Sequence, residues 1–255
     1  MGSATTTART SRLGGVPTTL PPSGAATGTQ LGLDLPDAAE RGPARTVLPD
    51  VVHVPGWLAP DEQAALVARF REWAVPPAGL RHPRVPTGNL MTVQSVCLGW
   101  HWSPYAYSRT ADDTDGAPVK PLPPDVAELA RRAAVETGVP GADDYAPDAA
   151  IVNLYGPDAR LGLHQDGEEP SDAPVVTISL GDACTFRLAA VDRRTGPFTD
   201  VRLASGDLLV FGGRNRRIFH GVPKVLPGTA PAGLDLPPGR LSLTIRQTGF
   251  GPMRE

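Results

Sequence analysis

The sequence predicts a mainly β protein with flanking helices, an α+β chain whose strand-rich half forms a sandwich or jelly roll. Three observations carry that expectation. Gly 28 and Pro 29 among 255 residues are too many for long helices and suit short strands joined by turns. From Ala149 onward, strand-like runs recur at 149–155, 175–180, 184–189, 201–203, 207–211 and 240–248, with turn residues between them. No helical pattern alternates with these runs, which argues against a parallel βαβ sheet.

Taken in order, residues 1–45 are rich in Thr, Ser, Gly, Pro and Ala without a sustained period. Such a segment buries too little apolar surface to offset chain entropy, so it reads as a disordered or loosely docked tail, with Gln30–Leu35 the stretch suited to docking. Residues 46–255 form the folded domain, opening on strands at Thr46-Val47-Leu48 and Val51–Val54. Pro60-Asp61-Glu62 starts a helix, because proline suits a first turn and acids suit its positive end. Leu66, Phe70 and Trp73 recur at helical spacing, and Pro76-Pro77 stops the run. His53 reads as a packed or surface histidine, since no acid lies near it in the chain. Arg81 to Thr87 reads as an exposed, extended basic loop. Met91 to Leu98 alternates as a strand ending at Gly99-Trp100, and His101, Trp102, Tyr105 and Tyr107 then crowd together in a chain with only 5% aromatics. Core packing and a ligand-facing loop both account for that cluster. Pro123-Pro124-Asp125 opens a second helix, with Val126, Leu129, Ala130 and Ala133 on one face and Gly138 as its cap.

Composition narrows the function classes. No apolar run approaches the roughly 18 residues of a membrane helix, and no charged-then-apolar start marks a secretory signal. The opening Met1-Gly2 fits a loose myristoylation pattern but lacks a following polybasic patch. Cys97 and Cys184 make neither a disulfide framework nor a zinc knuckle and suit a reducing, cytoplasmic setting, each packed among apolar neighbours. A monomer is expected. The net charge of -3 argues against generic nucleic-acid stickiness. Charge is uneven, however: residues 184–224 carry eight Lys+Arg against three acids, and residues 105–172 five against fourteen.

The chemistry gathers behind the run Leu161-Gly162-Leu163. His164 and Asp166 lie two apart, which in an extended chain aims an imidazole and a carboxylate at one point. Asn153 and Tyr155 share the same period. With 5 His and 27 Asp+Glu in the chain, chance alone supplies about half of one such His-x-acid pair, so the pair needs support. His220 lies 56 residues downstream of His164, far enough for antiparallel strands to bring it back. Two His and one carboxylate with three open positions form the facial triad of non-haem Fe(II) oxygenases, and zinc is the competing metal. Arg240 and Arg246 fall on one face of an alternating strand, about 20 Å apart along it. Two inward cations require an anion, and arginine grips carboxylates by paired hydrogen bonds, so a slender dicarboxylate fits, with a solvated edge strand as the alternative. Iron with a dicarboxylate points to 2-oxoglutarate.

Asn153-x-Tyr155, Leu163-His164-Gln165-Asp166-x-Glu168-Glu169-Pro170, Ser179-Leu180-Gly181, Gly206-Asp207, Gly212-Gly213, Phe219-His220-Gly221 and Leu243-Thr244-x-Arg246-Gln247 together resemble the AlkB family of iron and 2-oxoglutarate-dependent dealkylases, over roughly residues 90–250. The resemblance implies a double-stranded β-helix with His164, Asp166 and His220 on Fe(II). It also implies Asn153, Tyr155 and Arg240 at the far carboxylate of 2-oxoglutarate and Arg246 near its keto-acid end. Ser242 stands where bacterial repair members carry Asn and counts as a minor co-substrate contact. Trp100 and Tyr105 match the family's aromatic clamp on the damaged base. Glu168 matches its acidic base-edge contact, in place of a shorter Asp. The implied activity is oxidative demethylation of N-alkylated bases in single-stranded or duplex DNA, with RNA a second candidate, consuming O2 and releasing formaldehyde, succinate and CO2. The flipped or unpaired base would stack on the aromatic loop. Arg214, Arg216 and Arg217 are candidates for phosphate contacts, with a solvated turn as the alternative and Arg81 and Arg84 next in line. Two other readings stay open: a 2-oxoglutarate oxygenase acting on a protein or small molecule, and a non-catalytic jelly-roll binding module.

Overall fold

The strand Arg240–Arg246 alternates polar and apolar residues, and the architecture is built on its two faces. Leu241, Leu243 and Ile245 point to one side, Arg240, Ser242, Thr244 and Arg246 to the other, and all seven are buried. The computed structural model describes residues 41–251, so the expected tail before residue 41, with its Gln30–Leu35 stretch, lies outside the described residues. In chain order the elements are β1 (Arg45–Leu48), β2 (Val51–Val54), α1 (Pro60–Ala74), β3 (Gln94–Leu98), β4 (His101–Ser103), β5 (Ala106–Ser108), α2 (Pro124–Thr137) and β6 (Ala149–Tyr155). They continue as β7 (Leu161–His164), β8 (Val175–Gly181), β9 (Ala183–Leu188), β10 (Thr199–Leu203), β11 (Leu208–Phe211), β12 (His220–Leu226) and β13 (Arg240–Arg246).

Two antiparallel sheets result, a jelly roll with helices on one outer face. The larger runs β1-β2-β11-β8-β13-β6-β3 and the smaller β10-β9-β12-β7, while β4 and β5 form a separate hairpin. Period-two alternation sorts the large sheet cleanly. Val152, Ile178, Val210 and Leu243 face α1 and α2, meeting Leu66, Phe70, Val126 and Ala130. Val175, Leu209 and Phe211 face the small sheet and pack on Phe186, Leu188 and Leu203. Both helices start at proline as expected, and Gly138 caps α2 in the left-handed conformation, its N–H donating to Ala134 O.

The sequence pattern missed β4, β5, β7 and β12. β4, β5 and β7 are only three or four residues long and partly exposed, too short for alternation to register. β12 contains Pro223, which normally counts against a strand, and its register shifts between His220 and Val222. Gly221 sits at that shift because a Cβ there would lie 2.7 Å from Leu161 O. Two further expectations are corrected by partners distant in sequence. His53 is packed, but with an acid: its Nε2 lies 2.9 Å from Asp207 Oδ2. Arg81 is buried rather than exposed, donating to Asp113 Oδ1 at 3.0 Å and to Ser95 O at 2.8 Å. No helix among the described residues is long and apolar enough to cross a membrane.

Truncating Leu243, which is fully buried under the helices, should lower unfolding free energy by about 2–5 kcal/mol. Urea unfolding of Leu243→Ala measures it; a loss below about 1 kcal/mol would mean the outer face of β13 does not carry the core.

Candidate active site

Antiparallel pairing of β12 with β7 sets His220 directly opposite His164. Their rings lie 4.4 Å apart, centre to centre. Each imidazole is oriented by its own backbone: His164 Nδ1 lies 2.9 Å from Gly162 O and His220 Nδ1 3.0 Å from Ile218 O. A carbonyl can only accept, so Nδ1 carries the proton in both rings and each Nε2 offers a lone pair. Asp166 follows two residues after β7 and points into the same space. Its Oδ1 is 3.6 Å from His164 Nε2 and its Oδ2 3.7 Å from His220 Nε2. One donor atom from each residue lies within 4.8 Å of the others.

Burial and the neighbouring charges favour metal-ready forms. Burial and the adjacent His164 pull the His220 pKa down to about 4, so its ring is neutral at pH 7. Burial pushes the Asp166 carboxyl up, but Arg246, His220 and His164 overcome it and hold the group well below the usual carboxylate range. An ionised carboxylate and two lone pairs therefore converge with no proton between them. Asp166 Oδ2 is buried and has no hydrogen-bond partner. Left so, it is costly; a cation resolves it. The donor set, two nitrogens and a carboxylate, fits Fe(II).

A second deficit lies on the inner face of β13. Arg240 is fully buried, donates from Nη2 to Ser179 Oγ at 2.8 Å and Ser242 Oγ at 3.1 Å, and leaves Nε and Nη1 without a partner. It pairs with no carboxylate among the described residues. Its guanidinium lies 5.1 Å from the centre of the Tyr155 ring, directly across the β13–β6 register. Burial pushes the Tyr155 hydroxyl up to about 12, so it remains a neutral donor. Ser242 stands opposite Asn153, whose Oδ1 accepts from Ser95 Oγ at 2.6 Å, so its amide N–H groups are not used in that bond. A buried, half-satisfied guanidinium flanked by hydroxyl and amide donors fits a carboxylate.

Arg246, at the other end of β13, is already engaged. Its Nη2 lies 2.7 Å from Asp166 Oδ1 and its Nη1 2.5 Å from Glu169 Oε1, and only Nε is unpartnered. These groups open on a cavity of about 550 Å3 whose wall includes His164, Asp166, Asn153, Glu168 and Arg246. Arg240, Ser242 and Tyr155 do not line it; they lie further along the same inner face.

Of the expected base contacts, Tyr105 and Glu168 line the cavity and Trp100 does not. Gly99 adopts φ +77°, and Trp100 N–H donates back to Leu98 O at 2.9 Å, a tight turn that breaks strand alternation. The Trp100 ring instead packs 5.0 Å from Phe250 with the Arg109 guanidinium 3.3 Å above it. Trp102, on β4, takes the place on the wall. The aromatic cluster was visible in sequence; which tryptophan faces inward depended on one turn. Arg216 is also corrected: it is buried, reaching Ala173 O at 2.6 Å and Glu169 Oε2 at 3.4 Å, and cannot meet a phosphate. Arg214 pairs with Asp50 and Arg217 with Asp172, whereas Arg194, not singled out from sequence, stands at the cavity.

Comparison with known proteins agrees with this geometry. A family model described as the 2OG-Fe(II) oxygenase superfamily matches residues 50–246. The chain is 37% identical over 222 residues to the DNA N(6)-methyladenine demethylase ALKBH1D of Arabidopsis thaliana, covering 79% of this chain and 50% of that protein. It is 37% identical over 170 residues to the alpha-ketoglutarate-dependent dioxygenase AlkB of Escherichia coli, covering 64% and 75% respectively. The AlkB homolog of Caulobacter vibrioides is 36% identical over 211 residues, covering 79% and 89%. The chain thus spans about half the length of the plant relatives but most of the bacterial ones. The solved structure of OsALKBH1 superposes with a TM-score of 0.71 at 31% identity, covering 80% of this chain and all of that one.

Two outcomes follow from the geometry. Asp166→Asn should abolish stoichiometric Mn(II) or Fe(II) binding in calorimetry while unfolding stays cooperative; undiminished affinity would disprove the three-ligand site. Arg240→Ala should weaken 2-oxoglutarate binding roughly ten- to a hundredfold, as expected for about 1.5–3 kcal/mol lost from a charge-assisted contact, with metal affinity unchanged. Equal weakening of metal and co-substrate would make Arg240 a structural residue.

Proposed function

The chain belongs to the AlkB family within the 2OG-Fe(II) oxygenase superfamily, and we propose from that premise that it oxidatively demethylates N-alkylated bases of single-stranded or duplex DNA. The observation that carries the reading is the cavity itself. An aromatic wall and the Glu168 carboxylate stand in one 550 Å3 space with His164 and Asp166, while His220 lies just behind the wall, opposite His164. The names of the similar proteins, a DNA N(6)-methyladenine demethylase among them, support a nucleic-acid substrate.

In this reading His164, Asp166 and His220 hold Fe(II). Arg240 with Tyr155 and Asn153 grips the far carboxylate of 2-oxoglutarate, and Arg246 Nε meets its keto-acid end. When bound, iron and 2-oxoglutarate supply O2-dependent oxidation coupled to release of succinate and CO2. The protein's own task is to place an N-methyl carbon beside that centre and exclude water. Trp102 and Tyr105 offer ring faces to an unstacked base, worth about 1–3 kcal/mol per base. Glu168 presents an acceptor to an exocyclic amine. The N-hydroxymethyl group then departs as formaldehyde, restoring the base. Two buried free thiols accord with a reducing, cytoplasmic setting.

One observation keeps an oxygenase of protein or small-molecule substrates in view. Of the arginines expected at phosphates, Arg216 is buried against Glu169 and Arg214 and Arg217 pair with Asp50 and Asp172, while Arg194 on the cavity wall and exposed Arg84 beside cavity-lining Val85 have no acidic partner among the described residues. Formaldehyde release from oligonucleotides carrying N6-methyladenine or ring-N-methylated bases, with and without 2-oxoglutarate, separates the readings. Release dependent on 2-oxoglutarate is expected, whereas 2-oxoglutarate turnover with no formaldehyde from any oligonucleotide would overturn the nucleic-acid assignment. Trp102→Ala should lower formaldehyde yield at least about tenfold, the lower end of one lost stacking contact, while uncoupled 2-oxoglutarate turnover persists. Trp100→Ala should spare both, since Trp100 lies outside the cavity wall.

A further inference from the structure

The β4–β5 hairpin belongs to neither main sheet, yet it carries Trp102, Pro104 and Tyr105 into the cavity wall. It is tied down at two points. On β4, the Trp102 backbone is held by its N–H donating to Cys97 Sγ at 3.3 Å and by Arg81 donating to its carbonyl. That anchor leads away from the His/Asp cluster, to Asp113. On β5, the Tyr107 hydroxyl donates to Glu169 Oε1 at 2.6 Å and accepts from Arg246 Nη1 at 3.0 Å. Arg246 Nη2 in turn lies 2.7 Å from Asp166 Oδ1. Glu169 is buried and its other oxygen faces Arg216 Nη2 at 3.4 Å, so the knot has little freedom to rearrange one bond at a time. Burial keeps the Tyr107 hydroxyl protonated, its pKa pushed well above the usual tyrosine value despite the nearby Arg246. A continuous chain of three side chains thus joins the wall of the base cavity to a metal ligand.

We propose that Tyr107 is a positioning residue that couples occupancy of the metal site to the position of the β4–β5 hairpin, and so makes oxidation depend on a seated base. This rests on the functional reading above for its biological meaning, but not for its physics. A divalent cation at His164, Asp166 and His220 draws on the Asp166 carboxylate and repels Arg246. The guanidinium then leans more heavily on Glu169 and Tyr107, which tightens the hairpin. By linkage, a base that steadies the hairpin favours the same arrangement from the other side, because coupling between two sites is reciprocal. The Arg81 anchor offers no such route.

Hydrogen exchange of residues 101–108 tests this without any substrate. In the wild-type protein, Mn(II) with 2-oxoglutarate should slow exchange of the hairpin by at least roughly fivefold, the lower end of typical coupling between sites. In Tyr107→Phe, which removes only the hydroxyl, the response should fall to within about twofold while Mn(II) affinity is retained. A hairpin that slows equally in both proteins overturns the proposal, as does a wild-type hairpin that does not respond. A merely structural tyrosine would speed exchange with and without metal and leave the ratio intact, which also overturns it. Turnover supplies the second readout: formaldehyde per succinate should drop at least roughly fivefold in Tyr107→Phe, and substrate-free 2-oxoglutarate consumption should rise, since oxidation would no longer wait for a seated base; an unchanged ratio overturns the proposal. Should Tyr107→Phe fail to melt cooperatively, the wild-type protein carries the test alone: Mn(II) without 2-oxoglutarate should still slow exchange of residues 101–108, and a hairpin indifferent to the metal overturns the proposal. A normal exchange response alongside no formaldehyde from the wild-type protein would leave the coupling standing and remove the nucleic-acid reading instead.

Discussion

The structure turns on one buried carboxylate. Asp166 lies between two histidine lone pairs and the Arg246 guanidinium, and burial alone would push it toward its neutral form. Arg246 keeps it ionised, and Glu169 with Arg216 keeps Arg246 in place. Removing either partner would leave an uncompensated charge in a dry interior, far costlier than the pair itself is stabilising. The arrangement is therefore better understood as holding the donor atoms in a reactive geometry than as cementing the fold.

That geometry is possible because the inner face of the large sheet is polar where the outer face is not. β13 places Leu241, Leu243 and Ile245 under the helices and Arg240, Ser242, Thr244 and Arg246 between the sheets. The apolar half supplies core burial, about 25 cal/mol for each Å2 of apolar surface removed from water. The polar half could not stand alone. Arg240 keeps two nitrogens without a partner, and Asp166 keeps one oxygen. The Arg240 deficit stands on the inner face of β13, and the Asp166 deficit stands across from it, beside the donor histidines of β7 and β12.

Charge counts did not show which charges are buried. Within the basic excess over residues 184–224, Arg216 is buried against Glu169, whereas Arg214 and Arg217 form pairs with Asp50 and Asp172 nearer the surface. Arg81, expected on a surface loop, closes a buried cluster with Asp113 and His101. A one-dimensional tally cannot see partners that lie, as Arg81 and Asp113 do, on segments joined only by folding. The same holds for His53, whose partner Asp207 arrives 154 residues later.

By itself the sequence determined what depends on local period and on residue chemistry. Strand-like runs between turn residues placed β6, β8 and β11, alternation placed β13, proline and acids opened both helices, and a two-residue spacing set His164 and Asp166 on one face. His220 was a metal candidate through its spacing from His164, and Arg240 an anion candidate because the alternation of its strand put it on one face with Arg246. Tertiary structure decided everything that needed register or a turn. Only pairing of β12 with β7 puts His220 opposite His164, and only the Gly99 turn sends Trp100 to Phe250 while Trp102 faces the cavity. The link from Tyr107 through Arg246 to Asp166 joins three segments separated by more than fifty residues each, so no local pattern could have announced it.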